Sequence, residues 1–390
     1  MMILNNVKMA GGGDPVNITI KGEQITGIAS SPIPAADGDL TLHFDNALIF
    51  PGLINSHDHL DFNQFAKLGN RVYSNYTEWG RHIHQTFRAE IREVLNIPAS
   101  LRTEWGIYKN LLCGVTTVVN HGARFGKSDD LITVFDETQC LHSVQFEKSW
   151  RIKLNNPFKK NLPVNIHVGE GTDDAAHHEI EQLTRWNLLN KKLIGVHAVA
   201  MTERQAKKFK AIVWCPQSNY NLLNKTAPVD LLKAYSTLLF GTDSTLTSDW
   251  NIWRHLQSAR ETNLLSDDLL YKSLTQNAAQ IWKLNTGEIA AGKDADLVVA
   301  KTNNGNNSLD AFFGIGPDDL LLVIHRGNMR LFDEALLDQL KQADISDFSK
   351  IYINGIGKYV QGDLPGLMDN IRNYQPAAEF PISVTKRLVA

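Results

Sequence analysis

Two histidines, His57 and His59, follow an apolar segment at residues 51–55 and are separated by one residue. If this segment is a β-strand, alternate residues face the same side, so both imidazoles project in one direction. Neutral imidazole is a ligand for zinc, iron, nickel or copper. A His-x-His pair also arises by chance on protein surfaces, so a metal site here requires further ligands from later strands.

Polar residues recur where later strand-like segments end. They are His121, His167, His197, the run Gln217-Ser218-Asn219 and Asp243. In a parallel barrel, the carboxyl ends of the strands meet on the face where active sites form. One histidine at a strand end is more often a hydrogen-bonded polar residue than a ligand. Five histidines and an aspartate in this order favour a metal site, and the low cysteine count makes nitrogen and oxygen the expected ligand atoms.

Residues 51–284 alternate apolar strand-like runs with helical patterns. About eight such strands are present, and their apolar character throughout is typical of parallel strands buried on both faces. This pattern predicts an α/β protein with a TIM-type (β/α)8 barrel. Helices are expected over residues 81–94 and 271–282, among others. Residues 123–163 have little room for two full strand–helix units, which predicts an abbreviated side of the barrel.

Both ends of the chain have the pattern of β-structure. Residues 1–50 contain short alternating runs separated by turn sequences such as Lys21-Gly22 and Asp37-Gly38. Strand-like segments return after the barrel, at residues 297–300 and 320–324. We therefore predict a barrel at residues 51–284. Residues 1–50 and 285–390 are predicted to form a small β-sandwich from both chain ends, followed by a C-terminal tail.

Composition excludes several classes of protein. The chain has 390 residues, a formal net charge of -3 and an ordinary hydrophobic content of 43%. It therefore lacks the basic character of nucleic-acid-binding proteins, and no apolar run approaches the roughly 18 residues of a membrane span. The start of the chain does not resemble a signal peptide. Three widely spaced cysteines do not form a disulfide framework, so we expect a cytoplasmic protein.

Motifs with a shared pattern extend over nearly the whole chain. They are Pro51-Gly52-Leu53-Ile54-Asn55 before His57-Asp58-His59, His167-Val168-Gly169-Glu170, His197, Cys215-Pro216-Gln217-Ser218-Asn219, Gly241-Thr242-Asp243-Ser244, Asn277-Ala278-Ala279 and residues 287–296. Together they resemble the amidohydrolase superfamily, in the mononuclear metal branch of the cytosine, guanine and adenosylhomocysteine deaminases. The resemblance implies a metal-dependent hydrolase that acts on C–N bonds other than peptide bonds.

The resemblance also implies one divalent metal ion, zinc or iron, bound by His57, His59, His167 and Asp243. A divalent ion lowers the pKa of a bound water from 15.7 toward about 7, so hydroxide forms at neutral pH. Asp243 would also take a proton from that water. Glu170 would be the general acid-base group for the ring nitrogen and the leaving group. His197 would polarise the substrate or stabilise the attacked oxygen.

Other residues are candidates for substrate contacts, each with a structural alternative. His121 could touch the substrate or be a hydrogen-bonded core residue. Gln217 and Asn219 could bind substrate or belong to a turn and helix cap. Trp79 lies on the segment after the first strand, which could cover the pocket and stack on a planar ring, or pack as a helix face. Lys148 could be the carbamylated lysine of the binuclear branch, although a solvated lysine is the favoured interpretation.

The predicted activity is hydrolytic deamination of a purine, pyrimidine, pterin or triazine type of heterocycle, by attack of metal-bound hydroxide and with release of ammonia. The same site could instead hydrolyse a cyclic amide or a ring C–Cl bond, and ammonia release distinguishes these reactions. A non-enzymatic relative would be expected to lack ligands, and none of the six key positions is missing here. The expected partner is a small-molecule substrate, and homodimer formation stays open.

Overall fold

The computed structural model describes residues 1–122, 131–302 and 308–386. Its strands in chain order are β1 (Met2–Met9), β2 (Val16–Lys21), β3 (Gln24–Ala29), β4 (Leu40–His43), β5 (Ala47–Pro51), β6 (Leu53–Asp58), β7 (Val115–Asn120), β8 (Thr133–Phe135), β9 (Gln139–Ser143), β10 (Val164–Val168), β11 (Leu193–His197), β12 (Ala211–Trp214), β13 (Thr237–Phe240), β14 (Leu297–Lys301), β15 (Leu320–His325), β16 (Asn328–Asp333), β17 (Phe348–Ile353) and β18 (Ile356–Gln361).

The helices in the same ranges are α1 (Tyr76–Thr86), α2 (Arg88–Leu95), α3 (Ala99–Leu111), α4 (Trp150–Leu154), α5 (Asp174–Trp186), α6 (Glu203–Ala206), α7 (Pro216–Leu223), α8 (Val229–Leu232), α9 (Ile252–Glu261), α10 (Asp267–Ser273), α11 (Gln276–Trp282), α12 (Leu309–Phe313) and α13 (Leu364–Arg372). Short 3-10 helices lie at Leu60–Phe62, Pro157–Lys159, Pro317–Asp319 and Glu334–Gln339. Within the described ranges, no helix combines the length and apolarity needed to cross a membrane.

The eight strands β6 to β13 form the predicted barrel. Strands β6, β7 and β8 pair in parallel, as do β9 to β13, and the order around each sheet follows the order in the chain. Backbone bonds from Thr242 N and Asp243 N to His57 O, at 3.0 and 3.1 Å, connect the end of β13 to β6. Strands β6, β10 and β11 are buried along their whole length, as parallel strands covered on both faces must be. The fold class predicted from the sequence is confirmed.

One side of the barrel is abbreviated, as the length of residues 123–163 predicts. Strand β8 has three residues, and only residues 136–138 separate it from β9, which is too short a connection for a helix. The helix between β9 and β10, α4, has five residues. Residues 123–130, which belong to the same predicted region, lie outside the described residues.

A ten-stranded sheet is built from β1–β5 and β14–β18. The two ends of the chain meet where β5 pairs antiparallel with β14, from Ala47 opposite Lys301 to Pro51 opposite Leu297. The edge strand β3 is hydrogen bonded to residues 292–295, which lead into β14. A separate apolar core fills this sandwich. Strand β6 begins two residues after β5 ends, so the first barrel strand starts directly from the sandwich. The domain boundaries at residues 50 and 284 stay predictions.

Two long helices predicted from the sequence are each divided in the structure. The helix expected over residues 81–94 is two helices, because Phe87, with φ -111° and ψ 38°, ends α1 before α2 begins. The helix expected over 271–282 is interrupted at residues 274–275. There the carbonyl of Leu274 accepts a hydrogen bond from Ile54 N in β6, so a barrel strand uses a group that a continuous helix would need.

Candidate metal centre and active site

Three histidine nitrogens and one carboxylate oxygen converge at the carboxyl ends of the barrel strands. His59 Nε2 and His57 Nε2 each lie 3.2 Å from His167 Nε2. Asp243 Oδ1 lies 3.8 Å from His57 Nε2 and 3.6 Å from His59 Nε2. All four side chains are buried. The structure therefore brings together, around one point, residues from the ends of β6, β10 and β13.

The donor set fits a divalent ion with room for a water beside the four protein groups. Zinc binds imidazole nitrogen at about 2.0–2.1 Å, which places neighbouring ligands about 2.9–3.6 Å apart at angles of about 90–120°. The nitrogen–nitrogen separations of 3.2 Å match that spacing. Burial and the neighbouring imidazoles lower the pKa of His57 and of His167 well below the ordinary value for histidine. Both rings are therefore neutral at pH 7 and can offer a lone pair to a metal.

Hydrogen bonds on the far side orient two of the four side chains. His167 Nδ1 donates to the carbonyl oxygen of His142 at 2.7 Å, which leaves Nε2 as the nitrogen with the lone pair. Asp243 Oδ2 accepts from Ser218 Oγ at 2.7 Å and from Thr247 Oγ1 at 2.9 Å, so Oδ1 faces the histidines. Burial alone would raise the pKa of Asp243, but the nearby imidazoles and these two hydrogen bonds lower it below its ordinary value. Asp243 is therefore a carboxylate.

Three residues at the ends of barrel strands have a left-handed backbone. The angle φ is +64° at Gly169, +70° at His197 and +57° at Asp243. Glycine takes this conformation at no steric cost, whereas at His197 and Asp243 the surrounding contacts must hold a strained backbone. Such strain is typical of functional sites, and here it turns the chain sharply where the side chains reach the site.

Glu170 and His197 face each other beside the four converging groups. Glu170 Oε2 lies 3.6 Å from His197 Nε2, and both side chains are buried. Burial, together with the charges of Asp243 and Glu179, raises the pKa of Glu170 well above its usual range. His197 Nδ1 donates to Asn219 Oδ1 at 2.8 Å, so the neutral ring presents the lone pair of Nε2 toward Glu170. Burial lowers the pKa of His197, so burial favours the neutral form of both side chains in this pair.

A buried ion pair lies beneath the metal ligands. Lys109 Nζ, on α3, is 2.9 Å from the carboxylate of Asp58, the residue between the two histidines of β6. The ammonium group also donates to Asn63 Oδ1 at 3.0 Å and to Thr242 Oγ1 at 3.4 Å. Asn110 donates to the same carboxylate oxygen at 2.8 Å. This network connects the residue between His57 and His59 to the residue that precedes Asp243.

Glu179 connects the loop of Glu170 to the first helix after β6. Its carboxylate accepts from Gly169 N at 2.6 Å and from Tyr76 Oη at 3.0 Å, and it is buried. The start of α1 is attached to the same loop, because Tyr76 N donates to Glu170 O at 3.0 Å. Glu179 is not among the residues that the sequence motifs mark. Its position beneath the site depends on the rotation of α5, for which the local sequence carries no signal.

A cavity of about 560 Å³ opens above the four converging groups. Its base is formed by His59, His167, Glu170, His197 and Asp243. Aromatic and aliphatic side chains form most of its walls, namely Phe62, Tyr76, Trp79, Phe146, Leu222 and Leu246. The arrangement is that of a small-molecule site, with apolar walls and a few convergent polar groups at the base.

The residues predicted as possible substrate contacts lie in different environments, and not all of them line the cavity. Trp79 lines the cavity, with its indole N–H donated to Leu68 O at 2.8 Å. His121 does not line the cavity, and its ring centroid lies 4.2 Å from that of His167, with one of its nitrogens within 4.8 Å of nitrogens of His57 and His167. Asn219 orients His197 and does not line the cavity. Gln217 does not reach the site, because Asp249 N and Ser258 Oγ bind its amide. The side chain of Lys148 is exposed to solvent, away from the converging groups.

Comparison with known proteins gives a consistent picture. Residues 151–330 match the amidohydrolase family. The chain is 29% identical over 375 residues to a 5'-deoxyadenosine deaminase of Methanosphaera stadtmanae, an alignment that covers 79% of this chain and 88% of that protein. Among solved structures, an adenosine deaminase from Xanthomonas campestris with bound zinc has a TM-score of 0.70 at 17% identity and covers 96% of this chain and 98% of its own.

A second solved structure has the same fold and a different activity. The zinc complex of an atrazine chlorohydrolase from Arthrobacter aurescens has a TM-score of 0.66 at 16% identity, covering 84% of this chain and 95% of its own. At these identities, similarity to the two solved structures shows the fold alone. The family match, the deaminase relative and the shared barrel confirm the resemblance found in the motifs. The family match and the deaminase relatives support the amidohydrolase superfamily, in its deaminase-like branch, as the family that this chain resembles.

Proposed function

We propose that this protein is a hydrolytic deaminase that uses one zinc ion, rather than iron, to replace an amino group of a small nitrogen heterocycle by oxygen. One observation carries the proposal. Three imidazoles and the Asp243 carboxylate converge next to the buried side chain of Glu170, at the base of an apolar cavity. Metal ligands, a proton acceptor and a proton donor are the parts that hydrolysis of a C–N bond requires.

The four converging side chains, His57, His59, His167 and Asp243, would hold the ion. When bound, a divalent cation supplies a water whose pKa is lowered from 15.7 toward about 7. Asp243 Oδ1 lies among the histidine nitrogens while Oδ2 is fixed by Ser218 and Thr247, so Oδ1 is the nearest acceptor for the proton that this water loses. The ring carbon keeps the water oxygen as a carbonyl, and the amino nitrogen leaves as ammonia after it takes a proton.

Glu170 is the proton donor of the proposal. Its raised pKa favours the protonated form, so it can protonate the ring nitrogen next to the attacked carbon, then pass protons to the leaving nitrogen. His197 is held by Asn219, and its Nε2 lies 3.6 Å from Glu170 Oε2. It would polarise the substrate only in its protonated form, and this requires a second proton, because the proton of Glu170 goes to the ring nitrogen.

Adenosine-type nucleosides are the first substrates to assay, because the curated relatives are named as 5'-deoxyadenosine and 5-methylthioadenosine/S-adenosylhomocysteine deaminases. We expect zinc-loaded protein to release ammonia from at least one member of a panel of these nucleosides, guanine, cytosine, a pterin and an aminotriazine. Asp243→Asn and Glu170→Gln should each lower kcat by at least about a hundredfold. Full turnover of either variant with metal bound would refute the assigned roles.

The alternative reaction is hydrolysis of a cyclic amide or of a ring C–Cl bond by the same residues. The fold shared with an atrazine chlorohydrolase motivates this alternative. Chloride release from a chlorotriazine, without ammonia release from any member of the panel, would favour it. A non-enzymatic role is disfavoured by the complete set of ligands. A cytoplasmic location and a homodimer stay proposals, to be tested by fractionation and by light scattering.

A further inference from the structure

Basic side chains line the outer part of the cavity. Arg81 and His84 on α1 and Arg88 at the start of α2 are spaced by three and four residues, so they lie along one side of this segment. The described residues that line the cavity include two carboxylates, Glu170 and Asp243, and both lie at its base. Charge in the cavity is therefore divided, with carboxylates beside the converging groups and guanidinium groups at the mouth.

The two arginines are anchored but not neutralised. Arg81 Nε donates to Thr77 O at 3.2 Å, and Arg88 Nε donates to His84 O at 2.9 Å. In the described part of the chain, no carboxylate oxygen lies within 4.0 Å of either guanidinium. Other arginines of this protein are paired, such as Arg71 with Glu78 at 3.1 Å. Arg81 also donates from an outer nitrogen to Thr77 Oγ1 at 3.4 Å. The other outer N–H groups of these two anchored guanidiniums suit bidentate recognition of a carboxylate or phosphate.

The size of the cavity also favours a substrate larger than a single heterocyclic ring. A volume of about 560 Å³ is within the range of sites for drug-sized molecules, roughly 300–1,000 Å³, and is larger than a bare purine or triazine ring requires. A ring seated at the base therefore leaves space between the apolar walls and α1. A substrate that fills this space carries a substituent that extends toward Arg81 and Arg88.

The position of α1 relative to the base is fixed by several contacts. Asn75 caps the helix and forms an isolated bridge with Gly171, and Tyr76 N donates to Glu170 O. Tyr76 Oη donates to the buried carboxylate of Glu179. The fold therefore fixes the distance from the basic residues to the groups at the base of the cavity. A fixed distance allows the site to select substrates by their length.

We propose that the substrate is a nitrogen heterocycle whose distal substituent is an anion, a carboxylate or a phosphate, bound by Arg81 and Arg88. The inference rests on the proposed function for the location of the ring, and adds the class of substrate. A carboxylate is planar and a phosphate is tetrahedral, and the oxygens of both anions accept hydrogen bonds from guanidinium groups.

The test compares three adenosine derivatives that share one ring: neutral 5'-deoxyadenosine, adenosine 5'-carboxylic acid and adenosine 5'-monophosphate. For zinc-loaded wild type, kcat/KM should be at least tenfold higher for one of the anions than for the neutral compound. The double variant Arg81→Ala/Arg88→Ala should lose about ten- to a hundredfold with that anion, the usual range for hydrogen bonds to charged groups. It should change less than about threefold with the neutral compound.

Arg92→Ala is the matched control, because Arg92 lies on α2, exposed, and does not line the cavity. Arg92→Ala should leave kcat/KM for all three adenosine derivatives unchanged. The anion that is preferred identifies the source, a phosphate or a carboxylate. Equal turnover of neutral and anionic compounds by wild type, or equal losses for both in the double variant, would overturn the proposal while leaving the deaminase function intact.

A binding measurement separates the two hypotheses if no compound releases ammonia. Isothermal titration with adenosine 5'-monophosphate and with adenosine 5'-carboxylic acid reports anion binding without turnover. If the double variant weakens binding of either anion at least tenfold while Arg92→Ala does not, anion recognition stands and the deaminase function fails. If wild type binds neither anion, or both variants bind as wild type does, the anion proposal fails.

Discussion

Replacing Lys109 by methionine removes the ammonium group of the buried ion pair beneath the metal ligands. Lys109 has 2% of its side chain exposed and Asp58 has none, so no solvent can replace the lost partner. The ammonium group also donates to Asn63 and Thr242. Methionine keeps most of the aliphatic volume, so the change isolates the charge and its hydrogen bonds from the packing of α3.

Removal of one partner of a buried ion pair costs about 3–5 kcal/mol, because the other charge stays buried and unpaired. The Asp58 carboxylate retains amide donors from Asn55, Asn63 and Asn110, at 3.3, 2.8 and 2.8 Å. These donors partly replace the ammonium group, so we expect a loss near the lower end, about 3 kcal/mol. Because Asp58 separates two metal ligands, zinc affinity should also fall, by about 10- to 100-fold as for other residues that support ligands.

Urea denaturation of the metal-free protein measures the first effect, and competition with a chelator measures the second. In Asp58→Asn/Lys109→Met no charge stays buried, so the double variant should be more stable than the sum of the two single losses predicts. Lys148→Met changes an exposed lysine and should alter the free energy of unfolding by less than about 0.5 kcal/mol. A loss below about 1 kcal/mol in Lys109→Met would refute the reasoning about the buried pair.

Further predictions concern Glu179, Gly241 and the acid-base group. Burial raises the pKa of Glu179 from 4.5 to about 7, so the folded state keeps a proton that the unfolded chain loses, and stability falls by about 3 kcal/mol as pH rises from 4.5 to 7. Urea unfolding at pH 5 and at pH 7.5 measures this loss of stability. The loss should be smaller in Glu179→Gln than in wild type, and it should equal the wild-type loss in the control Glu181→Gln, which changes an exposed residue. A wild-type loss in both variants would contradict the prediction. Gly241→Ala puts a Cβ 2.7 Å from His57 Cβ, so zinc affinity should drop at least about tenfold; chelator competition giving the wild-type value would contradict it. Glu170→Gln should bind zinc normally, by metal analysis, and yet lose turnover.

The convergence of the metal ligands could be predicted because it follows from strand geometry. Side chains two residues apart share a face of a strand, which aligns His57 with His59. The carboxyl ends of parallel strands meet at one face of a barrel, which brings His167 and Asp243 to the same point. These arguments need only the strand positions, which apolar runs in the sequence mark well.

Strand geometry does not position residues where a helix follows a strand directly. The sequence offers Gln217 and Asn219 together, either as substrate contacts or as part of a turn and helix cap. Pro216 starts α7 immediately after β12, and two residues apart on a helix point about 200° away from each other. Asn219 therefore faces His197, while Gln217 faces α9 and is bound by Ser258.

Residues that reach the site from helices could not be found from the sequence. Lys109 lies 51 residues after Asp58, and only the packing of α3 against the barrel brings them into contact. Glu179 lies within α5, and only the rotation of that helix brings its carboxylate to Gly169 N. The basic cavity mouth depends likewise on where α1 begins, which its contacts with the loop of Glu170 determine.

The most direct test of the metal-centre account is a titration of chelator-treated protein with zinc, with ammonia release followed on a substrate from the panel. If His57, His59, His167 and Asp243 form one metal site, as proposed, activity should be absent in the metal-free protein and should rise linearly until one zinc ion is bound per chain. Activity that resists complete removal of metal, or that saturates only at two ions per chain, would contradict the account.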